Sequence, residues 1–238
     1  MEPFELISGS NNAAFVFCDH ASNAVPDWIG TLGLNSQDMN RHIAWDIGSE
    51  TVGRTIARAL DCGVLICRFS RLVIDVNRDP DAPTLIPHES DNTPIPRNQN
   101  LSDQDRTTRI ERLYRPYHSA LGDALDARPQ ALAISVHSFT PQLCGQPKRP
   151  TDIGLLMKDD DVTAHQFVAA MAQHRPAWQV DLNQPYSAYD LNFTVDYSVV
   201  PRGLRHLAIE VRQDHIADQD SATAMGLDLA HVIRTLID

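Results

Sequence analysis

Four short, almost uninterrupted apolar runs limit what this chain can fold into: AlaAlaPheValPheCys (13–18), ValLeuIleCys (64–67), AlaLeuAlaIleSerVal (131–136) and LeuAlaIle (207–209). Runs of this length without polar alternation are strands covered on both faces, as in a parallel sheet. Each run delivers chemically active side chains where it ends. Asp19 and His20 follow the first, Arg68 and Arg71 the second, His137 and Ser138 the third, and Glu210, Arg212 and Asp214 the fourth. Open α/β sheets bind ligands beyond the carboxyl ends of their strands. The pattern therefore predicts one rim that gathers two histidines, several carboxylates and several arginines.

Helical periodicity separates the runs. Ile43, Ile47, Val52, Ile56 and Leu60 recur on one face, with Asp46, Glu50 and Arg54 on another line. Asp38 or Asn40 is the expected cap of that helix and Gly63 its end. A second helix is predicted from about Ser102, with Ile110, Leu113, Tyr117, Leu121 and Leu125 facing in and a kink or break at Pro116. Further helices are expected near 160–174 and around Ala222, Met225, Leu229, Ile233 and Leu236. Residues 1–12 read as a lead-in, 71–76 and 152–157 as short strands, and 180–187 as a strand stub entering a loop. The stretch 79–102 carries Pro80, Pro83, Pro87, Pro94 and Pro96, the mark of a long loop of the kind that covers sites; 140–151 is a second loop. Strands alternating with helices predict an α/β sandwich, and residues 1–238 read as a single domain.

Charge narrows the partners. Lys and Arg total 20 against 31 Asp and Glu, a net charge of −11, which argues against nucleic acid or an anionic membrane as the main partner. Apart from Lys148 and Lys158 every fixed cation is arginine, the side chain suited to gripping carboxylates. No apolar run is long enough to span a bilayer, and no signal peptide precedes residue 13, so a cytoplasmic protein is the expectation. The four cysteines form no CysXaaXaaCys pair and read as free thiols.

His20 and His137, each at a strand end near carboxylates, suggest a metal site. Neutral imidazoles plus a carboxylate, with one position open, form the catalytic zinc arrangement. The alternative for either residue is a core histidine satisfied by one hydrogen bond. No HisGluXaaXaaHis is present, so any ligands come from separate elements. Glu210 lies in an apolar strand, where an ionised carboxylate costs several kcal/mol unless compensated; an ion pair with Arg212 is the structural alternative. Ser138 lacks the GlyXaaSerXaaGly elbow of a serine hydrolase.

Seven segments, in order, carry a resemblance: CysAspHisAlaSerAsnAlaValPro (18–26), HisIleAlaTrpAspIleGly (42–48), ArgLeuValIleAspValAsnArg (71–78), SerValHisSerPheThrPro (135–141), AspIleGlyLeuLeu (152–156), AsnGlnProTyrSer (183–187) and AlaIleGluValArgGlnAsp (208–214). From residue 13 to about 235 the chain resembles the N-formylglutamate amidohydrolase family, related to the zinc carboxypeptidases and aspartoacylases. The resemblance implies a three-layer αβα sandwich with a mixed, largely parallel sheet, as in zinc-dependent exopeptidases. It also implies Zn2+-dependent cleavage of an amide beside a free carboxylate.

Carried across residue by residue, His20 and His137 resemble the first and last zinc ligands. Asn23 occupies the relatives' middle-ligand position and is a poor ligand. Asp46 is the preferred replacement, or else a partner that orients a zinc histidine; Asp19 is a weaker competitor. Glu210 resembles the glutamate that moves a proton from the attacking water to the leaving nitrogen. Arg71 would polarise the scissile carbonyl or help bind the substrate carboxylate, and Asp75 would orient neighbouring groups. Asn77 and Arg78 resemble the pair that grips the substrate carboxylate, with Arg212 a second candidate for anion binding. Family members often carry an ArgHis pair where this chain has PheThrValAspTyrSerVal (193–199); His206 is the candidate substitute. The implied substrate is a small N-acylated acidic amino acid such as N-formylglutamate. The alternatives are a metallo-exopeptidase or amidase acting on a small peptide or cell-wall fragment, and a non-catalytic binding protein.

Overall fold

A computed structural model describes residues 1–237. Seven strands form one sheet: β1 (Phe4–Ile7), β2 (Asn11–Cys18), β3 (Cys62–Cys67), β4 (Leu132–Phe139), β5 (Ile153–Leu156), β6 (Val180–Leu182) and β7 (His206–Arg212), in the order β1-β3-β2-β4-β7-β5-β6. The four strands β3, β2, β4 and β7 run parallel, while β1 and β5 pair antiparallel with β3 and β7. The four apolar runs of the sequence are these central strands. Both faces of β4 are buried along its whole length, which is why its sequence shows no alternation.

One face of the sheet is covered by α1 (Ser49–Leu60), α4 (Asp161–His174) and α5 (Gln219–Ile237), through Val52, Ile56, Phe167, Met171, Leu229 and Ile233. The other face meets α2 (Asp103–Arg109) and α3 (Arg115–Asp126), joined by a π-helical turn at Ile110–Tyr114, and the long loops; Tyr117, Leu121 and Leu125 pack there against Phe15 and Phe17. No helix among the described residues is long and apolar enough to cross a membrane. Cys18, Cys62, Cys67 and Cys144 are free.

Several local expectations are corrected. Residues 1–12 include edge strand β1 and the start of β2, because Leu6 and Ile7 can hydrogen-bond to β3 while leaving one side in water. The first long helix begins at Ser49, not near residue 41. Gly48, at φ 82, is its N-cap, and a Cβ there would strike the Ile216 carbonyl. Asp61, in the left-handed region, ends that helix, whereas Gly63 belongs to β3. Residues 71–76 are turns rather than a strand. They pass under the 79–102 loop and spend hydrogen bonds on it, as in Asp75 N to Leu85 O at 2.8 Å. That loop contains a ribbon, Glu89–Ser90 against Thr93–Pro94, and a 3-10 turn at Pro96–Asn98. The helix does not break at Pro116: Tyr114 and Arg115 keep helical dihedrals, and the π-helical turn at Ile110–Tyr114 lies directly before the residue that lacks an N–H.

Candidate active site

The carboxyl ends of β2, β4 and β7 build the site. Register places His137 directly beside Glu210 on the neighbouring strand. His20 follows β2 by two residues, and its carbonyl accepts from Asp46 N at 2.9 Å, which pins the turn ahead of α1 against the strand end. Asp46 thus reaches the rim from a turn, not from a helix.

His20, Asp46 and His137 are buried and bring one ligand-type atom each to within 4.8 Å of the others. Nδ1 of His137 lies 2.8 Å and Nδ1 of His20 3.3 Å from the same oxygen, Oδ2 of Asp46. The opposite ring nitrogens also meet carboxylates. His20 Nε2 is 2.7 Å from Asp75 Oδ1, and His137 Nε2 is 3.5 Å from Asp19 Oδ2, with no other partner for either of the latter atoms. Asp19 is held in turn by the Tyr117 hydroxyl at 2.6 Å, and Asp75 by Arg71 at 2.8 Å.

A neutral imidazole can donate from only one nitrogen, yet both rings face carboxylates on two sides. Burial alone would lower the histidine pKa values. For His137 the hydrogen bonds to Asp19 and Asp46 outweigh burial and raise it well above the usual range; for His20, Asp75 and Asp46 overcome both burial and Arg71. Burial would raise the Asp46 carboxyl, but the two imidazoles hold it far below the carboxylate range. A divalent cation between the two Nδ1 atoms and Asp46 would take the place of those protons. It would leave Nε2–H groups donating to Asp19 and Asp75, the carboxylate-backed histidines usual at zinc. Two imidazoles and one carboxylate also match a catalytic zinc donor set.

A cavity of about 140 Å³ adjoins the cluster, lined by His42, Arg71, Asn77, Arg78, Tyr186 and Glu210 among others. Burial pushes the Glu210 carboxyl up to about 7, and its Oε2 has no partner. Arg71 is spoken for, bonded to Asp75 and 3.4 Å from Asp46. The Arg78 guanidinium donates only to the Asn77 carbonyl, at 2.8 Å, and has no carboxylate partner among the described residues. The Asn77 side-chain oxygen accepts from Thr194 N at 2.9 Å, which fixes the amide and leaves its NH2 group unused among the described residues. A larger cavity of about 860 Å³ opens between α3 and residues 193–202, away from all of these groups. Convergent titratable groups, not volume, mark the smaller one as the site.

Of the predicted site residues, His20, Asp46, Arg71, Asn77, Arg78, His137 and Glu210 share this cavity. Arg212 does not. Its guanidinium is buried against Asp214 at 2.7 Å, Asp152 at 3.0 Å and the carbonyls of residues 149–151. His206 sits at the opposite end of β7, level with Ala133, and cannot substitute for a cavity histidine. Asn23 bonds Met39 and Asn40 away from the cluster, while Ser138 donates to the Ile47 carbonyl at 2.8 Å and faces no base. Asp19 backs His137 rather than joining the three converging atoms. Sequence reasoning missed Tyr117, His42 and Tyr186. Two of them lie within the matched segments 42–48 and 183–187, a signal that could have drawn attention to them; nothing in its helical setting distinguishes Tyr117.

Comparison with known proteins places the chain. The sequence profile of N-formylglutamate amidohydrolase matches residues 13–217. A crystal structure of a gene product from Agrobacterium tumefaciens superposes with TM-score 0.90 at 29% identity, covering 100% of this chain and 97% of that one. The N-formylglutamate amidohydrolase of Ralstonia eutropha shares the fold, with TM-score 0.76 at 20% identity over 100% of this chain and 97% of that one. No curated protein matches the sequence.

Proposed function

The chain belongs to the N-formylglutamate amidohydrolase family, and from that premise we propose that it is a zinc-dependent amide hydrolase acting on a small N-acylated acidic amino acid such as N-formylglutamate, the whole chain serving as one catalytic domain. The observation that carries this reading is the convergence of His20 Nδ1 and His137 Nδ1 on Asp46, with Glu210 beside them and Arg78 free in the same cavity. Kinship with the zinc carboxypeptidases and aspartoacylases, and their fold, is part of the proposal.

His20, Asp46 and His137 would hold the zinc, which when bound supplies a Lewis acid for the developing oxyanion. Arg78 and the free NH2 of Asn77 bind the substrate carboxylate, the guanidinium offering two parallel charge-assisted hydrogen bonds. Arg71 lines the same cavity; already paired with Asp46 and Asp75, it would donate a hydrogen bond to the scissile carbonyl oxygen rather than bring a free positive charge. Asp75 keeps Arg71 and His20 in place. Glu210 accepts a proton from the attacking water as its oxygen bonds to the carbonyl carbon. It then returns that proton to the nitrogen as the C–N bond breaks. Burial raises this carboxyl above the ordinary carboxylate range, which helps it release the proton it has accepted.

The test is a panel of N-formylglutamate, N-acetylglutamate and glutamyl dipeptides offered to zinc-loaded protein. The formyl compound should give the highest kcat/KM, since about 140 Å³ leaves little room for a larger acyl group. Faster turnover of a dipeptide or cell-wall fragment would move the assignment to an exopeptidase or amidase. Bound zinc with no turnover of any of them would make this a binding protein.

A further inference from the structure

Arg212, expected to hold a substrate anion, instead holds backbone. Its Nη1 donates to three successive carbonyls, those of Arg149, Pro150 and Thr151, at 3.2, 3.0 and 3.1 Å. Arg149 N is also tied to the Pro141 carbonyl at 2.8 Å. A segment in the middle of a surface loop is thus fixed by a buried cation, and the side chain it presents is Arg149.

The Arg149 guanidinium rests on the cavity wall. Its Cζ lies 4.9 Å from the Tyr186 ring centroid and 5.7 Å from that of Phe139. Nη1 donates to the Thr140 carbonyl at 3.0 Å and the Tyr186 hydroxyl at 3.1 Å. Phe139, Thr140 and Tyr186 all line the cavity. Nε and Nη2 make no hydrogen bond, and the group has no carboxylate partner among the described residues. Arg71 is neutralised by Asp46 and Asp75. His42 is no second cation: burial lowers its pKa, Asp91 offsets this only in part, and Arg41, Arg71 and Arg149 add to the lowering. Among the described residues, two guanidiniums at the cavity have no carboxylate partner, Arg78 lining it and Arg149 packed on its wall residues Phe139 and Tyr186, in a chain of net charge −11.

We infer that Arg149 receives the second, side-chain carboxylate of a dicarboxylate substrate and so selects acidic over neutral N-acyl amino acids, with Arg212 as its positioning residue. This rests on the reading that the cavity takes N-acyl amino acids. Stacking on Tyr186 and Phe139 holds the guanidinium plane while its unused edge stays available for a bidentate carboxylate contact.

The test titrates zinc-loaded, full-length protein with glutarate and with its monoamide, glutaramate, by calorimetry. The two differ by one charge at nearly equal size. Wild type should prefer glutarate by about tenfold or more, the worth of a charge-assisted hydrogen bond. Arg149→Met keeps the aliphatic stem over the two rings and should reduce that preference to about twofold, leaving glutaramate affinity unchanged; Arg149→Lys should retain part of it. The kcat/KM ratio of N-formylglutamate to N-formylglutamine should fall in parallel. Equal affinities in wild type, a preference that survives in Arg149→Met, or equal weakening of both probes would overturn the inference. Neither probe is a substrate, so failure of wild type to hydrolyse N-formylglutamate would count against the proposed reaction alone.

Discussion

Replacing Glu210 by Gln should lower activity and raise stability at once. The side chain is 8% exposed, its Oε2 has no partner, and burial pushes its pKa from 4.5 to about 7. As the proton acceptor it must be ionised, so kcat/KM should fall toward tenfold per unit once pH drops below the pKa of this carboxyl in zinc-loaded protein, which the cation beside it sets lower than in the metal-free chain. The Gln variant should lose about 10²–10⁴-fold, the usual contribution of such a group. In zinc-free protein the same shift is a stability statement. The folded carboxyl binds its proton more tightly than the unfolded one, so its favourable contribution is complete below about pH 4.5 and is lost as pH rises through about 7. Above that, ionising it in place costs on the order of 3 kcal/mol, at about 1.4 kcal/mol per unit. Gln carries no such cost. At this chain length Tm moves about 2–4 °C per kcal/mol, so the chelated variant should melt up to about 10 °C above wild type at pH 8. The gap should close toward pH 5. Melting curves at both pH values, with initial rates on the zinc-loaded protein, test both halves. A Tm gain independent of pH, or none at pH 8, would refute the uncompensated buried charge, and near-normal activity would refute the base.

Two further outcomes follow from the groups around Glu210. Asp75→Asn removes the carboxylate 2.7 Å behind His20 and should weaken zinc binding about 10–100-fold in competition with a chromophoric chelator; affinity within twofold of wild type would show that Asp75 serves only Arg71. Arg78→Lys keeps the charge but loses the fork, so KM for N-formylglutamate should rise by about tenfold or more with zinc content unchanged; an unchanged KM would place the carboxylate elsewhere.

The sheet was legible because the central strands are buried on both faces, which leaves unbroken apolar runs ending in His20, His137 and Glu210. Edge strand β1 was not, since FELI is half exposed and carries no comparable run. Asp46 was placed at the metal through the resemblance of its segment, but on a helix, because Ile43 and Ile47 continue the spacing of Val52 and Ile56. The left-handed Gly48 interrupts that spacing, and periodicity alone cannot register it. Arg212 was misplaced because strand alternation gives a side chain's face and not its partners. Asp152, Asp214 and three carbonyls reach it from loops that have no period. Arg149 lies in just such a loop, and only the folded contacts with Phe139 and Tyr186 bring it to the cavity.

The zinc content of the purified chain and its ligand variants tests the central claim most directly. Zinc-loaded and dialysed wild type, measured by plasma mass spectrometry, should retain about one zinc per chain, as one three-residue site requires. His20→Ala, Asp46→Ala and His137→Ala should each fall to background while far-ultraviolet circular dichroism stays native. Full zinc occupancy in both histidine variants would contradict the site, and with it the chemistry assigned to Glu210.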